Sequence, residues 1–483
     1  MVPFQRELCP VFPTVLGNKD YLEAQALLSR IDELLVVSGL EDEFIASFPL
    51  SQRKTAKKTK RLVQALRCTV LRMLYHLPYR KAARELGMNT SYQQFCGLVQ
   101  VDSIKPPSHS KLERYEKMVS AETLQRLSAH LLQAAALPAL RGLPHGLGLA
   151  APVDLGTAYV DCTVLKAHVH FPVDWLLLRD ATRTLVLAIE QARKHGVRSR
   201  MPKKPMAYLR DMNKLCIEMT HARRTKDAKK ARKRIFRQMK KLMRTVDGLA
   251  QGHLEKLRKQ VPSKGLGIGT IEMLAGKFTA ILSQVDAVIH QAHERIIGER
   301  QVANKDKIFS LYEHDMHVIV RGKSGAEVEF GNTLFLAEQT DGLIIDWHLY
   351  KDQAPADSRM LPDHVERMKA LYEEAPQSIT GDRGFDGPFN TKALAGDEID
   401  NNICPRNIVD LKERLDDEAF RAHQTRRAQT EARIAILLRN FTGNPAHKWG
   451  HENKERLCGW SVLMHNLWVL ARLPQAKAIP IAV

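Results

Sequence analysis

The chain has 483 residues, 44% of them hydrophobic, and Lys plus Arg exceed Asp plus Glu by 73 to 54, a formal charge of +19 with a pI near 9.6. That length predicts roughly two to four packed parts, and that charge favours a polyanionic partner, with a merely basic soluble protein as the plain alternative. No apolar run reaches the roughly 18 residues of a membrane span, the first residues do not read as a signal peptide, and the seven cysteines (9, 68, 96, 162, 216, 404 and 458) hold no CxxC pair, so reduced cytosolic thiols are expected and a zinc knuckle is not.

The first fifty residues predict one helix over 20–38. A dense cationic run follows, with Lys54, Lys57, Lys58, Lys60 and Arg61. It opens into an amphipathic helix over 62–75, whose Leu62, Leu66, Val70 and Leu74 share one face. A second helix, 79–86, carries Arg80, Lys81 and Arg84 and stops at Gly87. A third segment, 91–98, carries Tyr92 and Phe95, and a further helix starts at Lys111. Residues 1–141 thus read as an all-α domain with helix-turn-helix character, the alternative being a packing or dimerisation bundle.

A Gly- and Pro-rich stretch over 142–155 reads as a linker. Residues 157–169 alternate and are β-branched, which predicts a strand. Asp161 lies inside it, and Cys162, next in line, points to the other face as a core residue. About 175–305 is helical. Within it, 223–244 packs twelve Lys or Arg against one acid, Asp227. Ile235, Met239, Leu242 and Val246 give this helix one apolar stripe, with Arg223, Arg224, Lys229, Lys230, Arg232, Lys233 and Arg234 on or near its basic face. DNA contact through that face is expected; a solvated helical hairpin would look similar.

Short strands return at 308–311, 317–320, 333–337 and 343–349, then a helix over 358–374, a strand over 378–381, a helix over 388–395 and a short strand over 402–405. The last quarter is helical at 410–415, 429–439 and 455–473, and the apolar stripe of the last helix reads as core. This order describes an α+β fold, a mixed sheet with helices on its faces, over 156–473, with a tail at 474–483. Asp382 falls just past a strand end, where such sheets place ligands, and Glu431 falls on a later helix.

Three isolated acids in a cationic chain suit metal-dependent chemistry on a phosphodiester. Two divalent ions roughly 4 Å apart can activate an attacking oxygen and relieve the leaving one. Mg²⁺ takes oxygen ligands and keeps waters, so two or three carboxylates suffice and no His or Cys is needed. Crowded carboxylates raise one another's pKa, which favours metal binding. Read singly, each acid has an ordinary alternative: Asp161 as a strand-end polar residue, Asp382 as a turn former, Glu431 as a solvated helix residue.

The segments around these acids resemble the DDE transposases of bacterial insertion sequences, nearest to the ISNCY-type group. The resemblance rests on Asp161-Cys162-Thr163-Val164 with His170-Phe171-Pro172-Val173-Asp174, on Asp382-Arg383-Gly384-Phe385, and on the helix around Glu431. N-terminal support comes from 72–80, 92–98 and 108–112. It implies an RNase H-like catalytic core with a large helical insertion, preceded by the helical DNA-binding domain. It further implies Asp161, Asp382 and Glu431 as ligands of Mg²⁺ (or Mn²⁺), two ions in all. DNA cleavage at element ends and strand transfer into a target would follow, in a dimeric, nucleoid-associated, cytoplasmic bacterial enzyme. In the glutamate helix of many relatives a Tyr, Arg, Glu, Lys pattern occurs. Here Arg427 fits the arginine, Gln424 stands at the tyrosine, and Leu438 stands at the lysine with Arg439 beside it. Glu452 is the fallback third acid. The alternatives are a catalytically degenerate or domesticated DNA-binding protein and a related metal-dependent nuclease.

Overall fold

In the computed structural model, the described residues are 18–100, 103–138, 145–169, 173–222, 224, 226–262, 267–303, 306–323 and 326–476. They form a mixed α+β protein that divides into two compact units, one of residues 1–167 with 319–483 and one of 168–318.

The sheet lies in the first unit. Its strands are β1 (Thr157–Lys166), β2 (His317–Lys323), β3 (Ala326–Glu338), β4 (Ile344–Leu349), β5 (Ser378–Thr380) and β6 (Asp400–Asn401). They run in the order β2-β3-β1-β5-β6, with β4 also paired to β3. The strand at the centre, β1, is antiparallel to β3, with Asp161 opposite Leu336, and parallel to β5, with Tyr159 opposite Thr380. Ala158, Val160 and Leu165 of β1 are fully buried, as continuous burial on a central strand requires. The expected strand at 308–311 is absent; Leu311 is buried by helices instead, because short apolar runs serve either context.

The N-terminal helices share one hydrophobic core with the sheet. Ile31, Leu34, Phe44, Leu66 and Leu131 belong to the same buried cluster as Val160, Phe335 and Ile379. Its keystone is the His451–Leu470 helix, which is buried on nearly every side. Trp460 Nε1 donates to the Glu116 carbonyl at 3.0 Å. Asn466 accepts from Ile344 N at 2.8 Å and donates to Ile344 O at 2.8 Å, which ties the helix to the start of β4. Buried polar groups satisfied in this way fix one arrangement.

The described part of the expected linker packs into that same core: Leu147, Leu149 and Val153 are buried, and Arg30 Nη2 donates to the Leu147 carbonyl at 2.6 Å. Its Gly and Pro content reports turning backbone, which is compatible with burial of the side chains between the turns. Of the expected tail, Gln475 bridges Leu149 and residues 477–483 lie outside the described part.

The second unit holds four long helices, Asp174–Lys194, Pro205–Ala222, Ala228–Arg258 and Ile268–Ile296, around a core of their own. The stripe of Ala228–Arg258 is Ile235, Phe236, Met239, Met243, Val246 and Ala250, with Leu242 only half-buried at its edge. A stripe at 3.6 residues per turn drifts across a strict 4-3-4 spacing over such a length. Among the described residues no helix is long and apolar enough to cross a membrane.

Candidate active site

Asp161 sits in the middle of β1, half-buried, with its Oδ1 accepting from the Cys162 amide at 2.7 Å. Extending the parallel register two residues past Tyr159 and Thr380 brings Asp161 level with Asp382, just beyond the end of β5. Burial raises the Asp161 carboxyl to about 6; the Cys162 amide opposes this, the charge of Asp382 adds to it, Arg427 opposes it, and the charge of Glu431 adds again. Asp382 and Glu431 are therefore both within electrostatic reach of Asp161. The three acids that lie far apart in sequence share one neighbourhood at the end of β5.

The loop that carries Asp382 is held on several sides. Asp382 Oδ1 accepts from Gly384 N at 2.8 Å. Arg406 donates from its Nε to the Arg383 carbonyl and from its Nη2 to the Gly384 carbonyl, both at 2.8 Å, while its amide donates to Asp386 at 2.7 Å. Gln424 Nε2 donates to the Gly381 carbonyl at 3.3 Å and the Asn402 carbonyl at 2.7 Å. Arg427 Nε in turn donates to Gln424 Oε1 at 3.2 Å. Gln424 thus braces the aspartate loop.

The expected helix over 429–439 is found as Thr430–Leu437 with a π-helical turn Leu438–Thr442, and a helix not expected from sequence, Glu418–Arg427, precedes it across a break at Ala428-Gln429. The break follows from what 426–430 must bond. Arg426 pairs with Glu338 at 2.8 Å, donates to the carbonyls of Gln339 and Thr340, and lies 4.7 Å over the Tyr159 ring. Thr430 Oγ1 donates to the same Glu338 carboxylate at 2.9 Å. These contacts anchor the start of the short helix to the end of β3, with Glu431 exposed one residue on. Leu438 is buried and Arg439 is exposed, so Leu438 serves the core. Glu452, the fallback acid, is paired with Arg456 at 2.5 Å.

One acid was not singled out from sequence. Asp357 is hydrogen-bonded to the Cys162 thiol, whose pKa is pushed up first by burial and then by the charges of Asp357 and Asp161. A Cβ on Gly384 would stand 2.8 Å from Asp382 Oδ1 and 3.1 Å from Asp357 Oδ2. The missing side chain keeps open a cradle between two carboxylate oxygens. Sequence held no signal for Asp357, which follows a Pro-Ala pair and opens the short 3-10 helix Asp357–Arg359.

The donor chemistry and this cradle fit a hard divalent cation, since oxygen ligands alone suit Mg²⁺. Among the described residues, however, no three His, Cys, Asp or Glu side chains form a group that could hold a metal ion. The electrostatics and the ligand geometry thus differ. Backbone register and the Arg426 anchor fix the shared neighbourhood, and the Glu431 side chain is exposed beside it. Ordering such a side chain costs up to roughly 2 kcal/mol, which a cation's attraction can offset.

The basic candidates fare unevenly. Lys54, Lys57 and Arg61 are exposed; Lys58 is half-buried and donates to the Ser51 carbonyl at 2.6 Å, and Lys60 is half-buried. Arg80, Lys81 and Arg84 line the exposed face of the Tyr79–Met88 helix, opposite buried Ala82 and Leu86. Arg223 lies outside the described residues, and Arg224, Lys230 and Arg234 are exposed. Lys229 and Lys233 both pair with Glu299, at 2.9 and 2.8 Å, and Arg232 lies 5.4 Å over the Trp175 ring, so part of the basic face is committed within its own unit.

Residues 18–118 match a family model described as a transposase domain, DUF772. The match supports a transposase family; β1, Asp382 and Glu431 lie outside the matched segment. No curated protein and no solved structure matches the chain.

Proposed function

We propose that the protein is a DNA transposase of the DDE kind, with Asp161, Asp382 and Glu431 as its catalytic acids. The observation that carries this reading is the coupling of all three charges at the junction of β1 and β5, in a chain whose N-terminal part resembles a transposase domain. A first acid on a central strand, with an antiparallel neighbour on one side and a parallel one on the other, agrees with an RNase H-like core.

In this reading Asp161, Asp382 and Glu431 would hold Mg²⁺ (or Mn²⁺), two ions in all. The ions would supply Lewis acidity and an activated water for phosphodiester cleavage and strand transfer. The chain itself does the positioning. Arg406 and Gln424 keep the Asp382 loop in place, Arg426 and Thr430 set the start of the Glu431 helix, and Arg427 offsets negative charge beside Asp161. Exposed Lys54, Lys57 and Arg61 are read as phosphate contacts, which position DNA without reading its sequence, and Arg80, Lys81 and Arg84 as the residues that read it. Joining element ends to a target implies at least a dimer on DNA, in the bacterial nucleoid.

A second reading, a DNA-binding protein without cutting activity, is favoured by the absence of a closed three-acid group among the described residues. The deciding experiment is a Mg²⁺-dependent cleavage and joining assay on labelled element-end DNA with wild type, Asp161→Asn, Asp382→Asn and Glu431→Gln. Loss of cutting in every variant supports one shared site. Salt-sensitive binding with no cutting by wild type would replace the transposase reading with the second one.

A further inference from the structure

The second unit contains a cavity of about 770 Å³ that the catalytic reading does not use. It is lined by Lys229, Arg232, Arg295, Arg300 and Lys307, and Glu299 is the acid on its wall. Lys229 and Arg232 come from the first turns of the Ala228–Arg258 helix, whose amino end adds partial positive charge. Arg295 comes from the last turn of the Ile268–Ile296 helix. Two of these cations have acids behind them: Arg295 bonds Asp174 with distances of 2.8 and 2.9 Å, and Arg300 pairs with Glu294. Among the described lining residues five are cationic and one, Glu299, is acidic.

Glu299 is held in an unusual way. Its φ is +54°, in the left-handed region that a residue with a side chain seldom adopts. In that conformation its carboxylate spans Lys229 at 2.9 Å and Lys233 at 2.8 Å. A carboxylate between two ammonium groups imitates a phosphate in the same position, and backbone strain of this kind gathers at binding and switch sites.

We propose that this cavity is a phosphate-binding pocket that takes a backbone phosphate of DNA, with the Glu299 carboxylate occupying the anion's place until DNA displaces it. The source of the phosphate rests on the reading of the protein as a DNA enzyme. Displacement needs no covalent step: Lys229 and Lys233 exchange one anion for another, and Glu299, on an exposed turn, swings into solvent.

The test uses the full-length protein, a short labelled duplex and inorganic pyrophosphate. Affinity is measured over a salt series for wild type, Lys229→Gln/Arg300→Gln and Glu299→Gln, with thermal melting to verify folding. In wild type the duplex binds and pyrophosphate competes. The double variant binds on the order of tenfold more weakly at moderate salt, with a log–log salt slope shallower by about 1 to 2. Glu299→Gln binds more tightly than both wild type and Glu272→Gln, an equal charge change at an exposed residue of the Ile268–Ile296 helix outside the cavity lining. Unchanged affinity and slope in both variants overturns the pocket. If the double variant does not fold, Glu299→Gln alone decides. If wild type binds no duplex, the DNA reading falls by itself; pyrophosphate binding that the double variant abolishes would then retain a phosphate pocket supplied from another source, and no pyrophosphate binding would overturn it as well.

Discussion

Arg426 and Glu338 form a buried ion pair at 2.8 Å that joins the segment before the glutamate helix to the end of β3. Thr430 bonds the same carboxylate, so Glu338 sets where that helix begins and hence where Glu431 stands. Removing the cation leaves an uncompensated buried carboxylate, which typically costs about 3–5 kcal/mol. Arg426→Ala is expected to lower the melting temperature clearly and, where folded, to abolish cutting. Arg426→Lys would restore part of the stability without the bonds to the Gln339 and Thr340 carbonyls, and with less than wild-type activity. Melting curves and the cleavage assay check both.

Asp161 predicts a stability effect of opposite sign. Burial first, and then its acidic neighbours, raise its carboxyl to about 6, so the folded state prefers it protonated. Its contribution is fully present below the unfolded-state value, near 4, and is lost as pH rises through about 6. Above that, the ionised side chain destabilises the fold. Asp161→Asn should therefore be more stable than wild type at pH 7, by on the order of 2 kcal/mol, with no gain below pH of about 4. Urea unfolding at both pH values is the measurement; equal stability at pH 7 would contradict it.

Gly384 carries the third prediction. Its substitution by Ala puts a methyl group 2.8 Å from Asp382 Oδ1 and 3.1 Å from Asp357 Oδ2, so the loop or the carboxylates must move. Gly384→Ala is expected to cost about 1–3 kcal/mol in stability. It should also weaken Mn²⁺ binding, read by electron paramagnetic resonance of the free ion. Asp357→Asn should weaken Mn²⁺ binding with little loss of fold. Unaltered Mn²⁺ affinity in both would remove Asp357 and the cradle from the site.

A fourth prediction concerns Asp346, which is fully buried on β4. Burial alone would raise its carboxyl, but the Arg367 charge and the hydrogen bonds from His364 and Arg367 hold it far below the usual range. A depressed carboxylate stabilises the fold above its unfolded value, near 4, and loses that contribution as pH falls toward the folded one. Arg367→Ala should cost about 3–5 kcal/mol at pH 7 and much less in strong acid. Denaturant midpoints at pH 7 and at or below pH of about 2 give the comparison.

Periodicity made the long helices and the central strand legible, because Ala158 and Val160 on β1 and Ile235, Met239 and Val246 on the basic helix repeat at the spacing of their elements. The glutamate helix was harder. The helix before it, Glu418–Arg427, carried no readable pattern, and the contacts that separate the two, Arg426 and Thr430 bonding a carboxylate about ninety positions earlier, are announced by nothing local. Asp357 and Arg406 were illegible for the same reason: one opens a 3-10 helix only three residues long and the other bonds backbone carbonyls, which carry no residue identity. The basic face of 223–244 was legible as charge, but Glu299, which commits two of its lysines, lies some seventy residues away.

The pairing of β1 with β3 also sets a timetable. Thr163 lies opposite Leu334, so β1 leaves the ribosome about 170 residues ahead of its antiparallel partner. At typical synthesis rates that is a wait of roughly 10–30 s. During it, the helices of 168–318 have emerged with a complete core of their own. The central strand, with its apolar side chains and unpaired edges, is the part of the nascent chain that needs protection from other strands in that interval.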